Sequence, residues 1–315
     1  MSELALSFNN LSVGYPQGKT SKILFDKVDI TLKAGELVCF MGPNGIGKST
    51  LLKTMAGLTP PLSSYKTNVD SKKIAIVLTD RVHAMHMRVR ELVSYGRYPY
   101  LNWQAQLKAS DEAAIDDALK LLHLENIADK DINTLSDGQL QMVMIARAVA
   151  QDTPIILLDE PTAHLDLNNR VEVMNMLRKL ARDNNKAILV STHELDLALQ
   201  TADLLWLADN QKLLTGIPED LVLDGSLDRI FQFKGFDLKT GKVFHENYRG
   251  ITLHLVGEGH EYLWTKNALE RCGYEVADHG GLKIEIRNSR FEISNGVRCG
   301  SIRELLDAIV KYVKT

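Results

Sequence analysis

The sequence predicts an α/β domain built around a phosphate-binding loop, with a mostly helical insertion and a small α+β appendage. Three observations carry that reading. Gly42, Gly47, Lys48 and Ser49 stand in the spacing G-x-x-x-x-G-K-S, between a strand-length apolar run and a helix-forming one. Ile155-Ile156-Leu157-Leu158 is an apolar run closed by Asp159 and Glu160, as expected of a buried parallel strand that delivers acids at its C-terminal end. After about residue 240 the chain changes to short strands and helices with balanced charge.

A chain of 315 residues suggests two domains as a prior, placed here at 1–240 and 241–315. The formal charge of −3 argues against a broad basic face for nucleic acid. Cys39, Cys272 and Cys299 lie far apart without a C-x-x-C pairing, which fits a reducing compartment and gives no disulfide or zinc framework. Met1-Ser2-Glu3-Leu4 lacks the basic start and apolar core of a signal peptide. No apolar run approaches the roughly 18 residues of a membrane span. The expectation is a soluble protein whose membrane role comes through a partner.

Taken in order, residues 4–13 read as a strand ending at Gly14-Tyr15-Pro16, and Ile23 to Leu32 supplies further strand material. Tyr15 beside Gly14 and Pro16 reads either as a turn aromatic or as a ring able to stack on a base. Leu37 to Phe40 is the strand before the glycine loop, and Leu51 to Ala56 the helix after it, stopped at Gly57. Ile74 to Leu78 is another buried strand. Residues 81 to about 150 form the helical insertion, with Gly96 to Tyr100 as a turn and a helix capped by Ser110. Residues 167–182 read as an amphipathic helix, Ala187 to Val190 as a strand ending at His193, and Leu204 to Leu214 as a hairpin. In the appendage, Ile251 to Val256, Lys283 to Ile286 and Arg290 to Ile293 read as strands. His260 to Cys272 and Ile302 to Val313 read as helices, and its four histidines and two cysteines lack metal-ligand spacing.

Glycines let backbone N–H groups converge on one concavity, and the following helix adds partial positive charge, so the loop from Gly42 to Thr50 is a phosphate cradle. Pro43, Asn44 and Gly45 complete it. Lys48 reaches toward the β- and γ-phosphates and the Ser49 hydroxyl toward Mg²⁺. By itself the loop fits many kinases and GTPases equally well. ATP hydrolysis needs a carboxylate near Mg²⁺ and a second group on the attacking water. Successive residues leaving a strand point apart, so Asp159 takes the first role and Glu160 the second. Ser136 and Gly138, opening the helical stretch Leu140 to Ala150, make a second anion site.

With Leu135-Ser136-Asp137-Gly138-Gln139 in place, the chain resembles the ATP-binding subunit of ABC transporters over roughly residues 1–235. Tyr15, the loop at 42–50, the signature segment at 135–139 and Ile155 to Pro161 occur in the family's order. Ala163-His164-Leu165-Asp166 looks like its D-loop and His193 like its switch histidine. The resemblance implies an ATP- and Mg²⁺-dependent ATPase in which two copies associate head to tail. Each ATP would lie between one chain's phosphate loop and Ser136, Gly138 and Gln139 of the other. It implies that Tyr15 stacks on adenine and that His193 contacts the γ-phosphate.

Two positions depart from the family. Asp137 replaces its usual Gly. A carboxylate about 4 Å from phosphate costs on the order of 4 kcal/mol per unit charge at an effective dielectric of 20, against roughly 0.3–1 kcal/mol gained at a helix start. Repulsion wins, so Asp137 is expected to point aside. Thr79 and Asp80 stand where the family has a Gln that reaches Mg²⁺; Thr is too short for that, and Asp80 offers the metal-directed oxygen.

The segment from Val89 to Tyr100 is similar to importers of iron–siderophore, haem or cobalamin chelates. That similarity implies transmembrane permease subunits, an extracytoplasmic substrate-binding protein and a peripheral place on the cytoplasmic face of the inner membrane. A soluble ABC ATPase acting on ribosomes or DNA is the alternative, opposed by the lack of a basic face. A phosphoryl-transferring kinase leaves the signature segment and His193 unexplained.

Overall fold

The computed structural model describes residues 4–18, 20–78, 86–104, 106–163, 165–233, 236–237, 242–243, 247–287 and 290–313. Two compact units divide the chain, Met1–Gln232 and Phe233–Thr315. Thr79, Asp80 and His164 lie outside the described residues.

The first unit opens with an antiparallel layer. Strands β1 (Leu4–Gln17) and β2 (Thr20–Lys33) pair as a long hairpin, and β4 (Lys66–Thr67) adds to the outer edge of β1. β1 runs further than the sequence suggests: Tyr15 pairs with Lys22 inside the hairpin instead of closing the strand. The main sheet holds β3 (Leu37–Met41), β5 (Ile74–Val77), β6 (Ile155–Asp159), β7 (Ala187–Ser191), β8 (Leu204–Asp209) and β9 (Lys212–Gly216). Its order is β5-β6-β7-β3-β8-β9, parallel except for the closing β8–β9 hairpin. All five residues of β3, β6 and β7 are buried, because strands covered on both faces are apolar throughout and not alternating. Phe40 packs edge-on to the fully buried Trp206, with ring centroids 6.2 Å apart.

This order positions the site. β6, β7 and β3 are neighbours, with Asp159 in register with Ser191 and Ser191 with Phe40. Three C-terminal strand ends therefore share one crevice, where open α/β sheets bind ligands. Helices α1 (Lys48–Met55), α5 (Leu167–Asp183) and α6 (Leu195–Thr201) follow the strands that feed this crevice.

The insertion contains α2 (Val89–Ser94), α3 (Ala109–Leu121) and α4 (Asp137–Ala150), packed on one another. The stretch expected as a turn, Gly96 to Tyr100, lies within a 3₁₀ helix, Tyr95–Tyr100. Ser110 does not cap α3, which starts at Ala109 after Lys108. Asp111 takes the capping role instead: its carboxylate accepts the Lys108 backbone N–H at 2.9 Å and holds the buried Arg97 guanidinium at 2.9 Å. Arg97 also donates to the Ala150 carbonyl at the end of α4, tying three parts of the insertion together. The unit closes with α7 (Pro218–Leu223) and α8 (Ser226–Phe231).

In the second unit, β10 (Phe236–Asp237) and β11 (Lys242–Val243) form a short antiparallel pair. A separate five-stranded sheet contains β12 (Ile251–Val256), β13 (Tyr274–Ala277), β14 (Leu282–Arg287), β15 (Arg290–Ile293) and β16 (Arg298–Cys299), in the order β13-β12-β14-β15-β16. Helices α9 (Gly259–Arg271) and α10 (Ile302–Val313) complete it, and Leu253, Leu269, Ile284, Leu305 and Ile309 are buried in its core. The α+β reading of this part holds, while β13 and β16 escape notice because four and two residues carry too little period to read.

Candidate functional site

The phosphate loop sits between β3 and α1. Gly47 has φ 111°, a left-handed setting that glycine adopts without a steric penalty. A Cβ there would stand 2.9 Å from Leu24 Cδ1, so backbone shape and packing both exclude a side chain. Lys48 is 6% exposed, and its Nζ donates to the Gly42 carbonyl at 3.0 Å. Burial lowers its pKa, while the charges of Glu160 and then Asp159 pull it back up. The lysine and both strand-end acids thus share one electrostatic environment. Pro43, Asn44 and Gly45 form the exposed lip, Ser49 is half-buried and Thr50 buried.

Tyr15 lies beside this loop with its ring 47% exposed, and its hydroxyl shares a 2.5 Å hydrogen bond with Thr50 Oγ1. That bond fixes the ring at the loop's edge. Nothing in the spacing of the two residues announces it.

Asp159 ends β6 at 1% exposure and accepts the Ser191 hydroxyl at 2.6 Å. Glu160 follows with φ 50°, a conformation that costs a non-glycine residue about 1–3 kcal/mol. The cost is offset locally: the Glu160 N–H is shared between the Ser191 carbonyl and hydroxyl, each at 3.0 Å. The turn brings Glu160 Oε1 to 2.7 Å from His193 Nε2. The two predicted catalytic side chains, 33 residues apart in sequence, therefore meet directly.

The signature segment opens α4. Ser136 Oγ accepts the Gln139 backbone N–H, and Gln139 Oε1 accepts the Ser136 N–H, both at 3.2 Å. This is a capping box, and it occupies the acceptor side of the Ser136 hydroxyl while leaving its hydrogen for a ligand. Asp137, the first residue of α4, is exposed. A Cβ on Gly138 would meet Leu165 Cδ2 at 2.9 Å, so the glycine serves a close approach of the D-loop.

Mg²⁺ favours oxygen ligands and keeps substrate phosphates and waters among them. The half-buried Ser49 hydroxyl and the buried Asp159 carboxylate fit that donor set. Among the described residues no cluster of three or more His, Cys, Asp or Glu side chains could hold a metal without such help. No helix among them is long and apolar enough to cross a membrane.

The description "ABC transporter" matches residues 25–163, and "Iron ABC transporter C-terminal domain" matches residues 250–310. The achromobactin transport ATP-binding protein CbrD of Dickeya dadantii (strain 3937) is 35% identical over 239 residues, 72% of this chain and 87% of its own. The petrobactin import ATP-binding protein FpuD of Bacillus anthracis is 34% identical over 242 residues, 73% of this chain and 87% of its own. Among solved structures, the chain is similar to an inward-facing ABC transporter of metal-chelate type. The identity there is 31%, with 73% of this chain and 90% of that chain covered at a TM-score of 0.66. At that identity over that length, the chain belongs to the ABC transporter family of ATP-binding proteins, and it is an ATPase.

Proposed function

We propose that this ATPase powers uptake of a metal chelate of the iron–siderophore, haem or cobalamin type, docked on separate membrane permease subunits at the cytoplasmic face. The observation that carries the hydrolytic part is the 2.7 Å contact between Glu160 and His193, set beside Asp159 and the buried Lys48. The transport part is supported by the relatives named for achromobactin transport and petrobactin import, and by an exposed aromatic surface. Tyr95, Tyr98, Tyr100 and Trp103 all face solvent, Trp103 at 90% exposure. Aromatic side chains gathered on an exposed surface are characteristic of protein interfaces. An extracytoplasmic binding protein would deliver the chelate.

In this reading, Lys48 and the loop N–H groups hold the β- and γ-phosphates, and Tyr15 stacks on adenine. Ser49 and Asp159 would hold Mg²⁺, with Asp80 as the further ligand the sequence suggests, and the ion would supply positive charge against the phosphates. With its proton on Nε2, His193 donates to Glu160 until the γ-phosphate offers a competing acceptor. Glu160 then takes the proton of the water that attacks phosphorus, as the bond to the β-phosphate oxygen breaks. Ser136, Gly138 and Gln139 of a second copy would complete the site from the opposite side, so ATP favours the closed dimer because only that state fills both half-sites.

Glu160→Gln tests this. It removes the base while keeping side-chain size, so turnover should fall at least about a hundredfold. ATP binding should persist and an ATP-bound dimer should accumulate on size exclusion. Wild-type hydrolysis by the variant would remove Glu160 from the role. Recovery of the wild-type chain without any integral membrane protein from solubilised membranes would favour the soluble alternative.

A further inference from the structure

Glu194, next to His193, is a partly buried acid that the hydrolysis chemistry leaves unused. It immediately precedes α6 without a side-chain capping bond, and its side chain is 19% exposed. Burial pushes its pKa up, opposed first by the charge of Arg170 and then by the Thr162 hydroxyl. Glu194 Oε1 lies 3.2 Å from Arg170 Nη1. The same guanidinium donates through Nε to the Leu165 carbonyl at 2.6 Å. Arg170 stands in the first turns of α5, so one rigid fork spans the D-loop and the segment carrying the switch histidine.

Leu165 is itself buried, and its side chain fills the space a Cβ on Gly138 would need. A continuous set of contacts therefore runs from Gly138 to Leu165, to Arg170 and to Glu194, the backbone neighbour of His193. In the hydrolytic reading above, one end would serve the ATP of the opposite chain and the other the chain's own.

We propose that Arg170 and Glu194 are positioning residues that couple the seating of a chain's signature segment to its own Glu160–His193 pair. This rests on the hydrolytic reading given above. A planar guanidinium satisfies both partners from fixed directions, which a lysine ammonium cannot do. Displacing Leu165 when the signature segment engages ATP would move its carbonyl, and the shared guanidinium would transmit the shift to Glu194. Contiguity alone does not establish coupling, so the test is a double-mutant cycle.

The full chain would be assayed for ATP hydrolysis as wild type, Arg170→Ala, Glu194→Ala and the double variant. Each single change should lower kcat about tenfold and bring the Hill coefficient toward one, with KM within about twofold. The double variant should be no worse than either alone, because contacting residues act as a unit. Arg170→Lys should stay low, since it keeps the charge and loses the fork. If an alanine variant does not fold, Arg170→Lys and Glu194→Gln supply the same cycle. A roughly hundredfold loss in the double variant, a change confined to KM or thermal stability, or a wild-type Hill coefficient of one would each overturn the coupling. Glu160→Gln separates the two ideas: wild-type turnover there removes the hydrolytic reading, whereas an inactive Glu160→Gln with an additive cycle removes the coupling alone.

Discussion

The glycine-bearing starts of α1 and α4 are built in opposite ways. At 42–50 the loop is backed by the buried strand β3, Lys48 is almost wholly enclosed, and the charges that act on it come from Glu160 and Asp159. At 136–139 the segment is largely solvent-facing, and the side chains of Ser136 and Gln139 each accept the other's backbone N–H. Both offer N–H groups and a helix dipole to an anion. The first is a pocket assembled by the fold, while the second is a stiff tip that presents donors outward. A tip of this kind gains its full use when another surface meets it.

The contrast breaks most sharply at Lys48. Lys48→Ala removes the buried cation from the loop, and ATP affinity measured by calorimetry on the isolated chain should fall about a hundredfold or more. Ionised hydrogen-bond partners are the strong ones, and a buried position screens them little. Retention of wild-type affinity would mean that the backbone cradle alone holds the phosphates.

At the tip, Ser136→Ala should act on a different observable. ATP affinity of the isolated chain should change less than about twofold, and kcat should drop about tenfold, since in the proposed dimer Ser136 donates to the other chain's ATP. Loss of the cap should also cost about 1 kcal/mol of stability in denaturant unfolding. A large fall in single-chain affinity would place Ser136 at its own chain's nucleotide and erase the contrast.

The smallest effect is expected at Asp137. The exposed residue sits beside the donors, so Asp137→Gly should leave hydrolysis within a few-fold of wild type. A collapse of activity would show that the carboxylate takes part in the site, against the unfavourable balance of charge repulsion and helix-dipole gain.

Much of the site is readable in the linear chain, for identifiable reasons. A glycine loop between strand and helix is a local backbone device, and acids after a fully apolar run can only be strand-end groups. The start of α3 shows where local reasoning stops. Ser110 is a better intrinsic cap than Lys108, yet Asp111 is fixed by Arg97, fourteen residues earlier, and sets the helix start. Likewise, neither the 2.5 Å bond of Tyr15 to Thr50 nor the reach of Arg170 to Glu194 leaves a sequence pattern. Each depends on side-chain direction across separate elements.

The sequence alone marked the candidate phosphate loop, the acid-bearing strand and the helix start at Ser136, because each rests on residues within one turn or strand of each other. Tertiary structure decided how they meet. Placing β7 between β6 and β3 sets Ser191 beside Asp159, and Ser191 receives the Glu160 N–H that holds this residue at φ 50°. That backbone turn aims Glu160 at His193, and the paired strand ends supply the hydrogen bonds that sustain it.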